Sequence, residues 1–247
     1  MKFIRFMRLV TRPILRVIAE IDVQGLEHIP STGGVIVASN HLGRLDAALA
    51  VIISNREDFV LMVAEKYQES FFWRWVMKQL DALWLNRYEA DYDTLREVIK
   101  RIKQGQILAM APEGTRSKTE TLQEGKEGVA FLAAKTGAPV IPIAVWGTED
   151  RMVINKLKRL QRLTIHVRIG EPCSLPPMPR SKERDLFLRR QTDAVMCQIA
   201  AMLPPQYRGV YADHPQLHLL LAERADSTAV PPTDFQNYPG LSGETPA

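Results

Sequence analysis

Cysteine is scarce, with 2 in 247 residues, Cys173 and Cys197. Two cysteines without metal-type spacing give neither a disulfide framework nor a thiolate metal site, and they point to a reducing compartment. Long apolar runs are lacking too. The longest, AALAVII at 47–53, holds seven residues, against the ~18–20 that a spanning helix needs. It fits a buried helix. No apolar core followed by a cleavage site is visible, so no secretory leader is expected. A Walker loop, a dinucleotide fingerprint and a G-x-S-x-G elbow are all missing; GTEDRMV (147–153) and GVIVAS (34–39) do not qualify. Nucleotide-loop chemistry and a serine nucleophile are therefore disfavoured. His28, His166, His214 and His218 are scattered, and no His/Cys/carboxylate cluster has metal spacing, so no metal is expected. The basic residues do not interleave with aromatics at a recognisable motif, which argues against a nucleic-acid partner.

What is present fits one sizeable α/β domain with small additions. The composition is globular, 46% hydrophobic and 24% charged. The net charge of +4 is uneven. Residues 223–247 carry Glu223, Asp226, Asp234 and Glu244 against Arg224, a balance of −3, which leaves +7 on residues 1–222. That surplus favours anionic partners: phosphate groups, nucleic acid or an anionic bilayer.

The first twenty residues, MKFIRFMRLVTRPILRVIAE, space Lys2, Arg5, Arg8, Arg12 and Arg16 along one stripe of a helix, with bulky apolar residues over the remainder. A basic amphipathic helix of this kind suits a bilayer interface, the arginines meeting anionic lipid. The other reading is a helix packed on the core with a solvated basic face. Pro13 is expected to kink the helix or divide it.

From Asp22 onward the chain alternates between two periods. GGVIVAS, DFVLMVA, ALWLN, QILAMA, PVIPIAVW and LTIHVRIG read as strands. DAALAVIIS, SFFWRWVMKQL, DYDTLREVIKRIKQG, EGVAFLAAKTG and residues 181–202 read as helices, with Asp91 or Asp93 as an N-cap and Gly105 and Gly137 as stops. Near-continuous apolar strands alternating with helices predict an α/β fold, a largely parallel central sheet flanked by helices. The expected organisation is an N-terminal amphipathic segment at 1–20, a domain at 21–212 and a loosely held, Pro/Ser/Thr/Gly-rich tail at 213–247.

Sites in open α/β sheets collect at the carboxyl ends of strands. NHLGRLD, NRYEAD and PEGTRS each follow a predicted strand, so all three could share one rim. His41 and Asp46 lie five residues apart, ~140° apart on a straight helix. They converge only if the segment bends, and Gly43 supplies that freedom. A converged Asp46 would fix the His41 tautomer and leave the other ring nitrogen to take a proton. The bland alternative is a loop histidine and a helix-capping aspartate. In APEGTRS, Gly114 lets a ligand approach the backbone and Arg116 offers a planar cationic fork for phosphate. Glu113 could hold that fork or accept from a substrate hydroxyl. Arg87 is a second cation just past a strand.

These segments, in this order, resemble the glycerolipid acyltransferase family that includes lysophosphatidic acid acyltransferases. NHLGRLD is similar to its histidine-four-residues-aspartate block, DALWLNR to its second block, APEGTRS to its third and VIPI to its fourth, centred on Pro142. The resemblance implies acyl transfer from a thioester, acyl-CoA or acyl-carrier protein, to a hydroxyl of lysophosphatidic acid. Another lysophospholipid, glycerol 3-phosphate or an amino-acid lipid are alternative acceptors. His41 would be the general base and Asp46 its partner. Arg87, Glu113, Gly114, Thr115 and Arg116 would bind the acceptor, and Pro142 would shape the acyl region. No cofactor is implied beyond the acyl donor as co-substrate. The implied place is the cytoplasmic face of a membrane, held peripherally by residues 1–20. Three departures bear on the acceptor: Asp81 where the family usually has Gly, Ala111 where it often has Phe, and Gly43 where Ser is frequent. The reading from another class is a non-catalytic peripheral lipid-binding protein.

Overall fold

The computed structural model describes residues 2–85, 91–180, 183–226 and 233–234. Helix α1 (Lys2–Ile18) leads into β1 (Ala19–Gln24). β2 (Val35–Ser39), α2 (Leu45–Ile53), β3 (Phe59–Ala64), α3 (Phe71–Gln79), β4 (Leu83–Leu85), α4 (Tyr92–Lys103), β5 (Ile107–Met110), α5 (Gly128–Thr136) and β6 (Val140–Trp146) follow in alternation. α6 (Asp150–Lys158), β7 (Leu163–Ile169), α7 (Arg184–Met202), α8 (Pro215–Asp226) and a two-residue β8 (Thr233–Asp234) complete the order. The strands form one sheet in the order β4-β3-β5-β2-β6-β7-β1-β8. β4, β3, β5, β2 and β6 run parallel, β7 is antiparallel to β6, and β1 is parallel to β7. This is the α/β, largely parallel sheet flanked by helices that the alternation predicts.

Two apolar clusters cover the two faces. Ile4 and Leu15 of α1, Leu49, Ile52 and Ile53 of α2 and Val153 of α6 pack on one face. α4, α5, α7 and α8 cover the other through residues such as Val98, Leu132, Met196 and Leu217. Neighbouring strand residues alternate between the two, Ile107 to the first and Leu108 to the second, as the period-2 pleat requires. β2 lies between β5 and β6, so the segments leaving the carboxyl ends of these three parallel strands meet at one rim.

Four expectations need correction. Pro13 does not divide the first helix, which runs unbroken from Lys2 to Ile18. Proline frees the carbonyl four residues earlier, that of Leu9, and both residues are exposed, so the lost bond falls on the outer side of the helix. The middle of the arginine stripe points inward rather than outward: Arg8 is buried and Arg12 half-buried, while Arg5 and Arg16 stay exposed. Arg5 pairs with Glu57; Arg8 donates to the carbonyls of Asn55 and Arg56; Arg12 donates to the Ile52 carbonyl at 2.9 Å and to Asn55. These partners lie at or just beyond the C-terminal end of α2, where unpaired carbonyls and the negative end of the helix dipole receive cations. The face turned outward is apolar: Phe6, Leu9, Val10, Ile14 and Val17 are exposed.

The third correction is β1, whose residues Ala19, Ile21 and Val23 are buried in alternation with more open ones. The sheet therefore begins inside the expected N-terminal segment. The fourth concerns the tail from residue 213. Its first part is α8, which packs on α7 with Leu217 fully buried. Among the described residues, no helix is long and apolar enough to cross a membrane.

Candidate active site

β2 ends at Ser39, and the chain turns through residues 40–44 before α2 begins at Leu45. Asn40, fully buried, fixes the start of this turn. Its side chain donates to the Val145 carbonyl at 2.7 Å and accepts from the Val145 N–H at 2.8 Å. Asp46 sits in the first turn of α2 and its carboxylate reaches back over the turn. One oxygen, Oδ2, accepts three hydrogen bonds: from His41 Nδ1 at 3.0 Å, from the Leu42 N–H at 2.7 Å and from the Gly43 N–H at 2.9 Å. The other oxygen is buried, with no partner among the described residues. Asp46 thus organises the loop and holds the imidazole at once, rather than capping its own helix. With Nδ1 engaged, Nε2 is the ring nitrogen left for proton transfer on a side chain that is about a quarter exposed.

Gly43 is needed here, though not for unusual torsions, since its φ lies outside the left-handed region. A Cβ would stand 1.9 Å from the Thr148 carbonyl oxygen. The close approach of the segment after β6 demands glycine.

The segment after β5 is docked on both the N–H and the carbonyl of His41. Glu113 Oε1 accepts from the His41 N–H at 2.9 Å, and the Ser117 N–H donates to the His41 carbonyl at 2.8 Å. Glu113 Oε2 accepts from the Gln123 N–H at 3.0 Å. The side chain is almost fully buried, and that burial pushes its carboxyl up to about 7 against the two N–H bonds that favour the anion. Both its oxygens are spent on backbone, so Glu113 braces the histidine loop and does not touch Arg116. Gly114 has a φ of 72° in a turn closed by its N–H on the Ala111 carbonyl at 3.0 Å. The Lys126 side chain lies across it, within 3.2 Å of where a Cβ would stand. Thr115 is exposed. Arg116 donates from Nη1 to Asp150 Oδ2 at 2.6 Å, with about a third of its side chain open.

The rim therefore brings together His41, Asp46, Glu113, Gly114 and Arg116. Pro142 is buried inside β6, with its ring against Gly170, and makes no contact with that group. Arg87 lies outside the described residues, as does most of NRYEAD; β4, which precedes it, stands at the sheet edge, two strands beyond β5. Three participants escape a reading of the sequence: Asn40, Lys126 and Asp150. Asn40 borders the histidine, but its partner is 105 residues away. Asp150 belongs to GTEDRMV, a stretch that fails as a phosphate loop and shows no other sign of use.

Known proteins give the same picture. A family model described as Acyltransferase matches residues 20–146, a span that holds the whole rim apart from Asp150. A chloroplastic 1-acyl-sn-glycerol-3-phosphate acyltransferase of Brassica napus is 32% identical over 61% of this chain and 44% of its own length. The 1-acyl-sn-glycerol-3-phosphate acyltransferases of Borreliella burgdorferi (28% identical, 55% of each chain) and Escherichia coli (30%, 51% of this chain and 53% of that one) are also similar. The chain spans about half the length of these relatives. The crystal structure of the 1-acyl-sn-glycerophosphate acyltransferase of Thermotoga maritima shares the fold, with a TM-score of 0.57 at 23% identity over 77% of this chain and 78% of that one. With more than half of its residues matching the family model, and the histidine–aspartate and PEGTR segments joined at one rim, the chain belongs to the acyltransferase family.

Proposed function

We propose that the protein transfers a fatty acyl group from a thioester donor, acyl-CoA or acyl-carrier protein, to the hydroxyl of lysophosphatidic acid, giving phosphatidic acid. The observation that carries this reading is the His41–Asp46 pair set beside Arg116 on a single rim. The names of the relatives support the acceptor. His41 Nε2 takes the proton of the acceptor hydroxyl as its oxygen attacks the thioester carbonyl. The anionic Asp46 stabilises the imidazolium that forms. Collapse of the tetrahedral intermediate breaks the C–S bond, and the imidazolium returns its proton to the departing thiolate. No acyl-enzyme is needed. Arg116 takes the acceptor phosphate, with Thr115 at the open edge and the Lys126 side chain lying across Gly114 beside it.

The same reading places the enzyme peripherally on the cytoplasmic face of a membrane, where the long-chain acceptor resides. The outward face of α1 supports this. Its five exposed apolar residues average about 60% exposure, so their burial in lipid is worth roughly 5–9 kcal/mol gross. Phe3 of α1 meets Trp75 of α3 edge-on, 5.6 Å between centroids, and Phe71, Phe72, Trp73 and Trp75 extend the apolar face. Aromatic side chains of this kind sit well at the headgroup level.

The test is a panel of lysophosphatidic acid, other lysophospholipids, glycerol 3-phosphate and an amino-acid lipid, each with acyl-CoA and with acyl-carrier protein. Lysophosphatidic acid should give the highest kcat/KM, and His41→Ala should abolish turnover while leaving vesicle binding intact. Unchanged turnover in His41→Ala overturns the general base. A higher kcat/KM on a different acceptor overturns the substrate.

A further inference from the structure

Asp150 opens α6, where an acidic residue ordinarily serves its own helix end. Here its carboxylate bonds two other segments. Oδ1 accepts from the Arg44 N–H at 2.9 Å, and Oδ2 accepts from Arg116 Nη1 at 2.6 Å, with Arg44 Nε at 3.9 Å. Arg44 lies inside the loop between His41 and Asp46. Next to it, Gly43 packs against the Thr148 carbonyl, with no room between them for a side chain. One carboxylate thus ties the histidine loop, the arginine after β5 and the segment after β6 into a single frame.

We infer that Asp150 is a positioning residue of the acceptor site: it holds the Arg116 guanidinium at a set place relative to His41 before the acceptor arrives. The inference rests on the reading that Arg116 receives the acceptor phosphate. An arginine side chain has many rotamers, and ordering it on binding weakens affinity; a side chain already held avoids that loss. The bond to Asp150 uses one N–H of a group that has five, so a phosphate oxygen can still meet the guanidinium. The backbone bond to Arg44 serves a second purpose, keeping the loop that carries His41 in register with the arginine.

The two bonds separate by substitution. Asp150→Asn keeps an oxygen for the Arg44 N–H and loses the charge that holds Arg116. Its KM for lysophosphatidic acid should rise about tenfold, and the inhibition constant of inorganic phosphate should rise with it, which is the range for losing one charge-assisted hydrogen bond. Its kcat should stay within about twofold. Asp150→Ala also releases Arg44 and should lower kcat as well. Neither KM nor an inhibition constant depends on the folded fraction, so partial unfolding does not imitate the result. Wild-type KM and phosphate inhibition in Asp150→Asn, or a fall in kcat alone, overturns the positioning role. Arg116→Ala is the parallel arm. If it raises both constants and Asp150→Asn does not, only the role of Asp150 fails. If Arg116→Ala moves neither, the phosphate reading fails and this inference with it.

Discussion

Asp46→Asn isolates the charge of the carboxylate from its shape. In the native site a single oxygen, Oδ2, accepts all three bonds while Oδ1 is buried with no partner among the described residues. An asparagine can place its carbonyl oxygen at Oδ2 and its amide at Oδ1, keeping the contacts to Leu42, Gly43 and His41 and losing only the charge. Under the proposed general-base mechanism an imidazolium forms, and the lost attraction acts across a hydrogen bond of 3.0 Å. At about 4 Å between charge centres and an effective dielectric of about 20, it amounts to about 4 kcal/mol. That corresponds to roughly a thousandfold in rate. The assay is kcat at saturating donor and acceptor, with circular dichroism and thermal unfolding to confirm the fold. Asp46→Ala serves as contrast. It orphans the Leu42 and Gly43 N–H groups at ~1–3 kcal/mol each, so it should lose stability as well as turnover. A folded Asp46→Asn enzyme within tenfold of wild-type kcat would refute the role of the pair.

Three further outcomes follow from the geometry. Gly43→Ala should cost several kcal/mol and most of the activity, because its Cβ would lie 1.9 Å from backbone oxygen; near-native Tm and kcat would contradict that contact. Glu113 titrates at about 7 in the fold against 4.5 ordinarily, so the folded state holds a proton that the unfolded chain has released. Stability should therefore fall as pH rises from about 4.5 to about 7, by about 3 kcal/mol at most, and Tm measured across that range in Glu113→Gln should lack the slope. On vesicles, Leu9→Asp with Val17→Asp should weaken binding by more than tenfold, whereas Arg8→Met, which removes an inward side chain, should lower Tm and leave binding within about twofold. The opposite ranking would restore the arginine stripe as the lipid contact.

Much of this was legible in the residues. Periodicity alone places β2, β5 and β6 and the helices between them, and the strand-end rule puts NHLGRLD and PEGTRS on the same rim. The convergence of His41 and Asp46 follows from the need for a bend. The reason for Gly43 does not, because it depends on the Thr148 carbonyl, which only the tertiary arrangement brings near. Asp150 was hidden for the same reason: β6 lies beside β2 in the sheet, an adjacency that no local pattern encodes. The helical period of α1 defines two faces without saying which one the domain receives. Arg8 and Arg12 turn inward because the end of α2 offers carbonyls to them, partners 47 and 40 residues away. In α8, Leu217 is a core residue whose neighbours beyond 226 are rich in proline and small residues, and composition averaged over the whole tail conceals it.

The orientation of α1 also governs how the protein behaves in lipid-free buffer. Arg8, Arg12, Ile4 and Leu15 dock it on the domain, which leaves Phe6, Leu9, Val10, Ile14 and Val17 facing water. A patch of exposed apolar residues of this kind should drive self-association in lipid-free buffer, checked by light scattering. Because the attraction is hydrophobic, strongly hydrated salts such as sulfate should promote clustering rather than dissolve it. Solubility should then return with detergent, whose micelles cover the same face.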